Sequence, residues 1–211
     1  NFQAKALETQ LRELQVPYKL SGGTSFYSRA EIKDVMCYLR LIINPTDDSA
    51  FFLIINTPKR SIGAVTLEKL GGYAQHRGVS LLTACSELGL GQALGQSKAL
   101  VNLHEFASWL EDHAREILES TDPVPRIRQL LSDIAYEDYI RETAPTPQGA
   151  EARLENINFL LNSVQGMINK AESEDDKSIE TIIRKLVLID LLDQQAEADD
   201  SDRVQLMTLH A

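Results

Sequence analysis

Apolar residues recur every three or four positions over most of this chain, which is the spacing of one face of an α-helix. Asp122-Pro123 and Thr146-Pro147 each place a capping residue before a proline, and proline is favoured at the first position of a helix. We predict helices that begin at these two prolines, a long helix before them, and a last helix capped by Ser178. The pattern excludes an all-β fold.

The first half of the chain also contains helical signals. Ser28 and Glu31 have the spacing of a capping box, so they predict the start of a helix that ends before Asn44-Pro45. Thr46 is predicted to cap the helix that follows. After residue 28 the predicted helices cover residues 29–43, 47–55, 64–77, 100–118, 123 onward, 147–168 and 179–192.

The two ends of the chain differ from its middle. We expect a helical pattern in residues 1–14, a short strand at 17–20, and a buried strand that enters a loop at 204–211. The chain begins without Met and stops directly after that strand, so we expect a piece of a longer protein. The predicted fold is mainly α, with a helical domain over residues 39–200 and small α/β remnants over 1–38 and 201–211.

Composition narrows the class of protein. The hydrophobic fraction of 43% suffices for a core, and no apolar run approaches the ~20 residues that span a bilayer. We therefore expect neither a membrane protein nor a secreted one. Cys37 and Cys85 are too few for a disulfide framework, and we predict small core residues in a reducing compartment.

Charge is distributed unevenly along the chain. The first 78 residues carry 10 basic and 7 acidic residues, whereas the remaining residues carry 11 basic and 24 acidic ones. Because phosphates attract local positive charge, any contact with nucleic acid is expected in the first third of the chain.

The segment from Asn56 to Gly63 is the most informative local signal. It lies between two predicted helices and contains Lys59, Arg60 and an Ile-Gly pair. A helix-hairpin-helix has this layout, in which backbone N–H groups and a helix N-terminus approach a phosphate of duplex DNA. Thr66 lies one turn into the second helix and could donate to a phosphate oxygen. The alternative is a solvated corner that carries two incidental cations.

Three enzyme-like patterns fail on spacing. The segment Gly91–Lys98 has three residues between its glycines and no Lys-Ser or Lys-Thr after the second, so it is not a phosphate loop. The zinc-protease pattern that starts at His104 has Ser108 where a second histidine is needed. His104 and His113 lie on different faces of their helix, so we expect surface or interhelical histidines and no metal site.

Five blocks of sequence, in order, resemble the UvrD/Rep/PcrA helicases of superfamily 1. They are Gly22–Asp34, Tyr38-Leu39-Arg40, Asn44–Asp48, Asn56–Arg60 and Leu206–Ala211. The resemblance implies that residues 1–38 end the first segment of subdomain 2A, that 39–200 are the inserted helical subdomain 2B, and that 201–211 return into 2A at motif V.

The resemblance also implies an activity for the whole enzyme. The family couples ATP hydrolysis, with Mg, to 3′→5′ movement on single-stranded DNA in the bacterial cytoplasm, and 2B meets the duplex and regulates unwinding. The nucleotide-binding motifs lie outside this chain, so we expect it to bind neither ATP nor Mg and to hydrolyse nothing by itself.

The residues that we expect to contact duplex DNA are Lys59, Arg60, Ser61, Ile62, Gly63 and Thr66. Ser61 stands where the family often has the first glycine of Gly-Ile-Gly, and Thr208 and His210 match motif V positions that contact the single strand. The expected partners are a junction of single- and double-stranded DNA and possible replication proteins. The competing hypothesis is a protein-docking or autoinhibitory helical module, which the acidic second part of the chain favours.

Overall fold

The computed structural model of the chain describes residues 26–95, 97–198 and 204–207, strand 18–21, and positions 7, 10, 11, 14 and 16. The helix predicted within residues 1–14 lies largely outside the described residues. The helices are α1 (Ala30–Ile43), α2 (Asp48–Ile54), α3 (Ala64–Arg77), α4 (Leu81–Ser86), α5 (Leu90–Leu94), α6 (Lys98–Leu118), α7 (Pro123–Asp133), α8 (Tyr136–Thr143), α9 (Pro147–Lys170), α10 (Glu174–Lys177) and α11 (Ile179–Ala198). The mainly helical fold is confirmed.

Two short strands pair near the ends of the chain. β1 (Tyr18–Ser21) and β2 (Val204–Met207) run parallel, with Tyr18 opposite Val204 and Ser21 opposite Met207. Both strands lie where the sequence predicted them. Val204 itself is exposed, so the prediction of a fully buried strand is wrong at this residue.

Helix α1 lies at the centre of the bundle. Its apolar residues are almost completely buried, and it packs against α2, α6, α9 and α11. The predicted domain boundary between residues 38 and 39 falls inside this continuous helix.

At the starts of α1 and α2 the N-cap residue is the one that follows the predicted residue. Ser28 does not cap α1: Arg29 occupies the N-cap position without a side-chain cap, and the Glu31 carboxylate accepts a hydrogen bond from Asn156 Nδ2 at 2.6 Å instead. Asp47, and not Thr46, caps α2, because its side chain accepts from the backbone N–H of Ala50 at 3.0 Å. In both cases the helix was predicted, but the partner of the side chain was not.

The later caps follow the sequence. The Thr146 and Ser178 hydroxyls accept from the backbone N–H groups of Gly149 and Thr181, as predicted for α9 and α11. Gly78 ends α3 with φ 67°, a left-handed conformation that glycine adopts without strain. Four short helices were missed: α4 and α8 were not predicted, and loops were predicted where α5 and α10 lie.

The predicted apolar stripes form one core. Cys37 and Cys85 are free and buried within it, as expected. Burial raises the pKa of the Cys37 thiol to about 11 and that of Cys85 to about 12, so both are neutral core side chains. No helix in the described part of the chain is both long enough and apolar enough to cross a bilayer.

Candidate nucleic-acid interface

Residues 55–63 form a tight corner between α2 and α3. The chain leaves α2 with the Thr57 N–H donating to the Ile54 carbonyl at 2.9 Å, and the Thr57–Pro58 peptide is cis. The order helix, short turn, helix is the one that the sequence predicted. That this corner acts as a DNA-binding helix-hairpin-helix stays a prediction.

The Asn56 carboxamide closes the corner from within. Its Nδ2 donates to the Ile62 carbonyl at 2.7 Å, and its Oδ1 accepts from the Ile62 N–H at 3.2 Å and from the Arg60 N–H at 3.3 Å. Ile62 is 4% exposed. The side chain and both backbone polar groups of Ile62 are therefore engaged within the protein, which removes it from the set of residues expected to face DNA.

Arg60 points inward. Its Nη1 donates to the carbonyls of Ile54, Ile55 and Pro58 at 2.9, 3.2 and 3.2 Å, and its Nη2 donates to the Tyr38 hydroxyl at 2.7 Å. The guanidinium also lies 4.8 Å from the centre of the Phe106 ring. The sequence treated Lys59 and Arg60 as equivalent cations, but the structure separates them, since Arg60 holds the corner together.

Lys59 points outward. Its side chain is exposed and forms no ion pair within the described part of the chain. The residues that flank Pro58 and Lys59 are both hydrogen-bonded through the backbone: the Thr57 carbonyl accepts from Tyr38, and the Arg60 N–H donates to Asn56. The backbone that carries this lysine is therefore held at both ends. Lys59 is thus a solvated cation on a rigid support.

Ser61 and Gly63 complete the outer side of the corner. Ser61 has φ 57°, the left-handed region that glycine adopts most easily, and its side chain is exposed. Gly63 is the N-cap of α3 with an ordinary φ of −80° and no side-chain cap. A Cβ built on Gly63 would meet no atom within 4 Å, so the surrounding fold does not require glycine there.

Thr66 is half-buried in the first turn of α3, and its N–H donates to the Gly63 carbonyl at 3.0 Å. The structure therefore brings together Lys59, Ser61, Gly63 and Thr66 at one corner. Thr208 and His210 lie outside the described residues.

Sequence reasoning missed the residues that support the corner. Tyr38 on α1 donates its hydroxyl proton to the Thr57 carbonyl, and Asn102 on α6 donates to the Arg60 carbonyl at 2.7 Å. Together with Lys59, Asn102 and Trp109 border an open cavity of about 440 Å³ beside the corner. Tyr38 and Asn102 are distant in sequence, so no local signal could have found them.

The remaining candidates have structural roles. Trp109 packs between helices against Tyr38 and Phe106, as predicted. His113 is buried between α6 and α7, where its Nε2 lies 3.0 Å from Asp133. No group of three potential metal ligands occurs among the described residues.

Between α7, α8 and α9 the acidic helices border an open cavity of about 480 Å³, whose lining mixes charged side chains such as Glu137 and Arg141 with apolar ones such as Leu154. In the described part of the chain after residue 78, the large apolar side chains that stay exposed are few and are spread along the sequence. They are Leu88, Val101, Leu118, Leu188 and Val204. A docking surface would need a contiguous apolar patch.

Comparison with known proteins relates the whole chain to one family. The UvrD-like helicase C-terminal domain family matches residues 1–211. The chain is 42% identical to the ATP-dependent DNA helicase Rep of Salmonella typhimurium and 40% identical to that of Escherichia coli, over 100% of this chain and 31% of each relative. It is 36% identical to the ATP-dependent DNA helicase PcrA of Bacillus subtilis, over 100% of this chain and 28% of that relative. The chain thus spans about a third of the length of these relatives.

Proposed function

Because this chain belongs to the UvrD-like helicase C-terminal domain family, we propose that it is the part of an ATP-dependent DNA helicase that engages duplex DNA. The contact is made by the outer side of the corner between α2 and α3, through Lys59, Ser61, Gly63 and Thr66. This part of the enzyme binds no nucleotide and hydrolyses no ATP by itself.

The observation that carries the proposal is an exposed lysine beside an uncapped helix N-terminus. The first N–H groups of α3 have no side-chain acceptor at the N-cap, and the helix dipole places partial positive charge at the same end. Lys59 adds a full positive charge a few residues earlier. A phosphate oxygen at this corner could accept from the backbone and pair with the ammonium group together.

The absence of a side chain at Gly63 also fits a close approach by DNA. Since φ at Gly63 is ordinary and space around it is open, the glycine serves no packing purpose inside the protein. A phosphate backbone that lies against the start of α3 would need that space. Contacts of this kind bind duplex DNA without reading its sequence, and one or two of them give weak, salt-sensitive binding.

The role in the whole enzyme follows from the relatives. Rep and PcrA are named as ATP-dependent DNA helicases, so we infer that the complete protein uses ATP and Mg and acts in the bacterial cytoplasm. We infer that it unwinds DNA 3′→5′ at junctions of single- and double-stranded DNA, with possible replication proteins as partners. Residues 39–200 would form the inserted subdomain 2B between segments 1–38 and 201–211 of 2A. Thr208 and His210 would contact the single strand.

We further propose that the helical bundle regulates unwinding by moving as a unit. The movement would be a rotation about linkers near residues 39 and 200. Since residue 39 lies inside α1, which packs against four helices, we place the first linker before residue 30.

Duplex binding by the 211-residue chain tests the proposal. Fluorescence anisotropy with a labelled duplex, from 25 to 200 mM salt, would compare wild type with Lys59→Ala and with Lys33→Ala, which removes the same charge from an exposed position on α1. We expect Lys59→Ala alone to weaken binding several-fold and to reduce the salt slope by about 1. Equal binding by wild type and Lys59→Ala would contradict the proposal.

The competing function is protein docking or autoinhibition by the acidic helices. The excess of 24 acidic over 11 basic residues after residue 78 favours it. The scattered exposed apolar residues on these helices do not. Loss of ATPase repression, with unchanged duplex binding, on removing the helical bundle from the complete helicase would favour the competing function.

A further inference from the structure

We propose that Tyr38 is a positioning residue that sets the geometry of the duplex-binding corner. The inference rests on the proposed function, because the corner matters for positioning only if it binds DNA. Tyr38 itself is buried and does not contact DNA. It acts through Thr57 and Arg60, the two residues that enclose Pro58 and Lys59.

One buried hydroxyl joins both sides of the corner. The Tyr38 hydroxyl donates to the Thr57 carbonyl and accepts from Arg60 Nη2 at 2.7 Å. Its residue is 1% exposed, so these bonds are formed away from water. Thr57 precedes Pro58 and Lys59, and Arg60 follows them, which means that a single oxygen atom fixes the two ends of the segment that presents the lysine.

The anchor belongs to a different helix from the corner. Tyr38 lies on α1, 19 residues before Thr57 and 22 before Arg60. Its ring packs edge-on against Trp109, with ring centres 6.2 Å apart, and the Arg60 guanidinium lies 6.0 Å from the centre of the Tyr38 ring. Because packing holds the ring, the Tyr38 hydroxyl occupies one position.

Removal of the hydroxyl would leave the ring and take away both bonds. The Thr57 carbonyl would lose a donor and one Arg60 N–H would lose its acceptor in a buried site, which favours a different arrangement of the loop. Arg60 would keep its three backbone acceptors, and Asn56 would still close the base of the corner. We therefore expect a folded bundle with a loosened corner.

The test compares Tyr38→Phe with Tyr136→Phe in the 211-residue chain. Tyr136 is an equally buried tyrosine on α8, and its hydroxyl donates at 2.7 Å to Asp34, one turn before Tyr38 on α1, so the control removes a neighbouring buried hydroxyl bond that does not reach the corner. Hydrogen exchange of the Arg60 and Ile62 amides, which donate to Asn56, is measured for each variant together with duplex binding and the salt slope.

We expect Tyr38→Phe to speed exchange of these amides about tenfold or more and to weaken duplex binding several-fold, with the salt slope unchanged because Lys59 remains. Tyr136→Phe should leave both properties as in wild type. Unchanged exchange of the corner amides in Tyr38→Phe, or equal acceleration in both variants, would overturn the inference.

Two further results separate this inference from the proposed function. If Lys59→Ala binds duplex as wild type does while Tyr38→Phe still speeds exchange, the DNA role fails and Tyr38 remains only a structural anchor. If Tyr38→Phe does not fold, Arg60→Lys is measured instead; it keeps the charge but removes the planar fork that reaches the Tyr38 hydroxyl and three backbone carbonyls. Fast exchange of the Arg60 and Ile62 amides in that variant supports an anchor formed by Tyr38 and Arg60 together, and wild-type exchange overturns the inference.

Discussion

Asn56 and Ile62 exchange two hydrogen bonds across the base of the corner, with the Asn56 amide donating to the Ile62 carbonyl at 2.7 Å and accepting from its N–H at 3.2 Å. The Asn56 side chain thereby supplies both the donor and the acceptor that a facing backbone residue supplies in a β-ladder. The loop between them is closed without a regular hairpin turn, so its shape depends on this amide.

The first prediction concerns that amide. Asn56→Asp keeps the acceptor but removes the donor and brings a carboxylate against the Ile62 carbonyl, so it should lower the free energy of unfolding by about 1–3 kcal/mol. Asn158→Asp is the matched control, because Asn158 uses only its Oδ1, as an acceptor from Arg128. Urea denaturation followed by circular dichroism measures both. Equal stability of the two variants would contradict the role assigned to Asn56.

The second prediction concerns the backbone of Ser61, which has φ 57°. Glycine removes the steric cost of this conformation, about 1–2 kcal/mol, at a smaller cost in chain entropy. Ser61→Gly should therefore stabilise the chain by about 0.5–1 kcal/mol, whereas Ser61→Val, with its branched Cβ, should destabilise it by a similar or larger amount. Thermal unfolding decides the matter, and a valine variant as stable as the glycine variant would refute it.

The third prediction separates folding from binding at Gly63. Gly63→Ala adds a methyl group in open space at an ordinary φ, so the loss of stability should be about 1 kcal/mol or less. Duplex binding should nevertheless fall, because the methyl group occupies the approach to the first N–H groups of α3. Ala64→Ser, one position along, serves as a control of similar size. Wild-type affinity in Gly63→Ala would show that DNA does not come close at this residue.

The fourth prediction concerns pH. Burial raises the pKa of Asp34 above the ordinary value of 3.8, although the Tyr136 hydroxyl that donates to it acts in the opposite direction. The folded state therefore holds this proton more tightly than the unfolded state, and its stabilising contribution is complete below pH 3.8 and lost as pH rises through the folded-state pKa.

Asp34→Asn keeps an acceptor for Tyr136 and removes the titration. Its stability relative to wild type, taken as the difference in the free energy of unfolding, should be greater at pH 7 than at pH 4. Urea denaturation at the two pH values measures this difference. A relative stability that is the same at both, or greater at pH 4, would show that Asp34 is not destabilised by burial of its charge.

The helical fold was accessible from sequence because its cause is local. Apolar spacing predicted α3 and α6, and the cap–proline pairs predicted the starts of α7 and α9; each of these predicted starts lies within a few residues of the observed one. The misplaced cap at α1 has a distant cause, since Glu31 is engaged by Asn156, 125 residues away. Short helices such as α4 carry too few turns to produce a periodic signal.

The candidate site was predictable in its place but not in its chemistry. The corner and the exposed Lys59 followed from sequence. The inward turn of Arg60 did not, because its partner Tyr38 and the Asn102 amide that holds its carbonyl come from two other helices. Two adjacent cations look alike in a sequence, and only the tertiary packing decides which one remains in solvent.

The parallel pairing of β1 with β2 has a practical consequence. The chain departs at Ser21 and comes back at Val204, which lies opposite Tyr18, so the two attachment points are ~4.8 Å apart across the sheet and about 10 Å apart along it. Because parallel strands need a crossover of about a dozen residues or more, everything between them could be exchanged for the corresponding stretch of a relative, but not for a tight turn, without disturbing the pairing. Such chimaeras would transplant the corner into a relative and leave the strand pairing as it is.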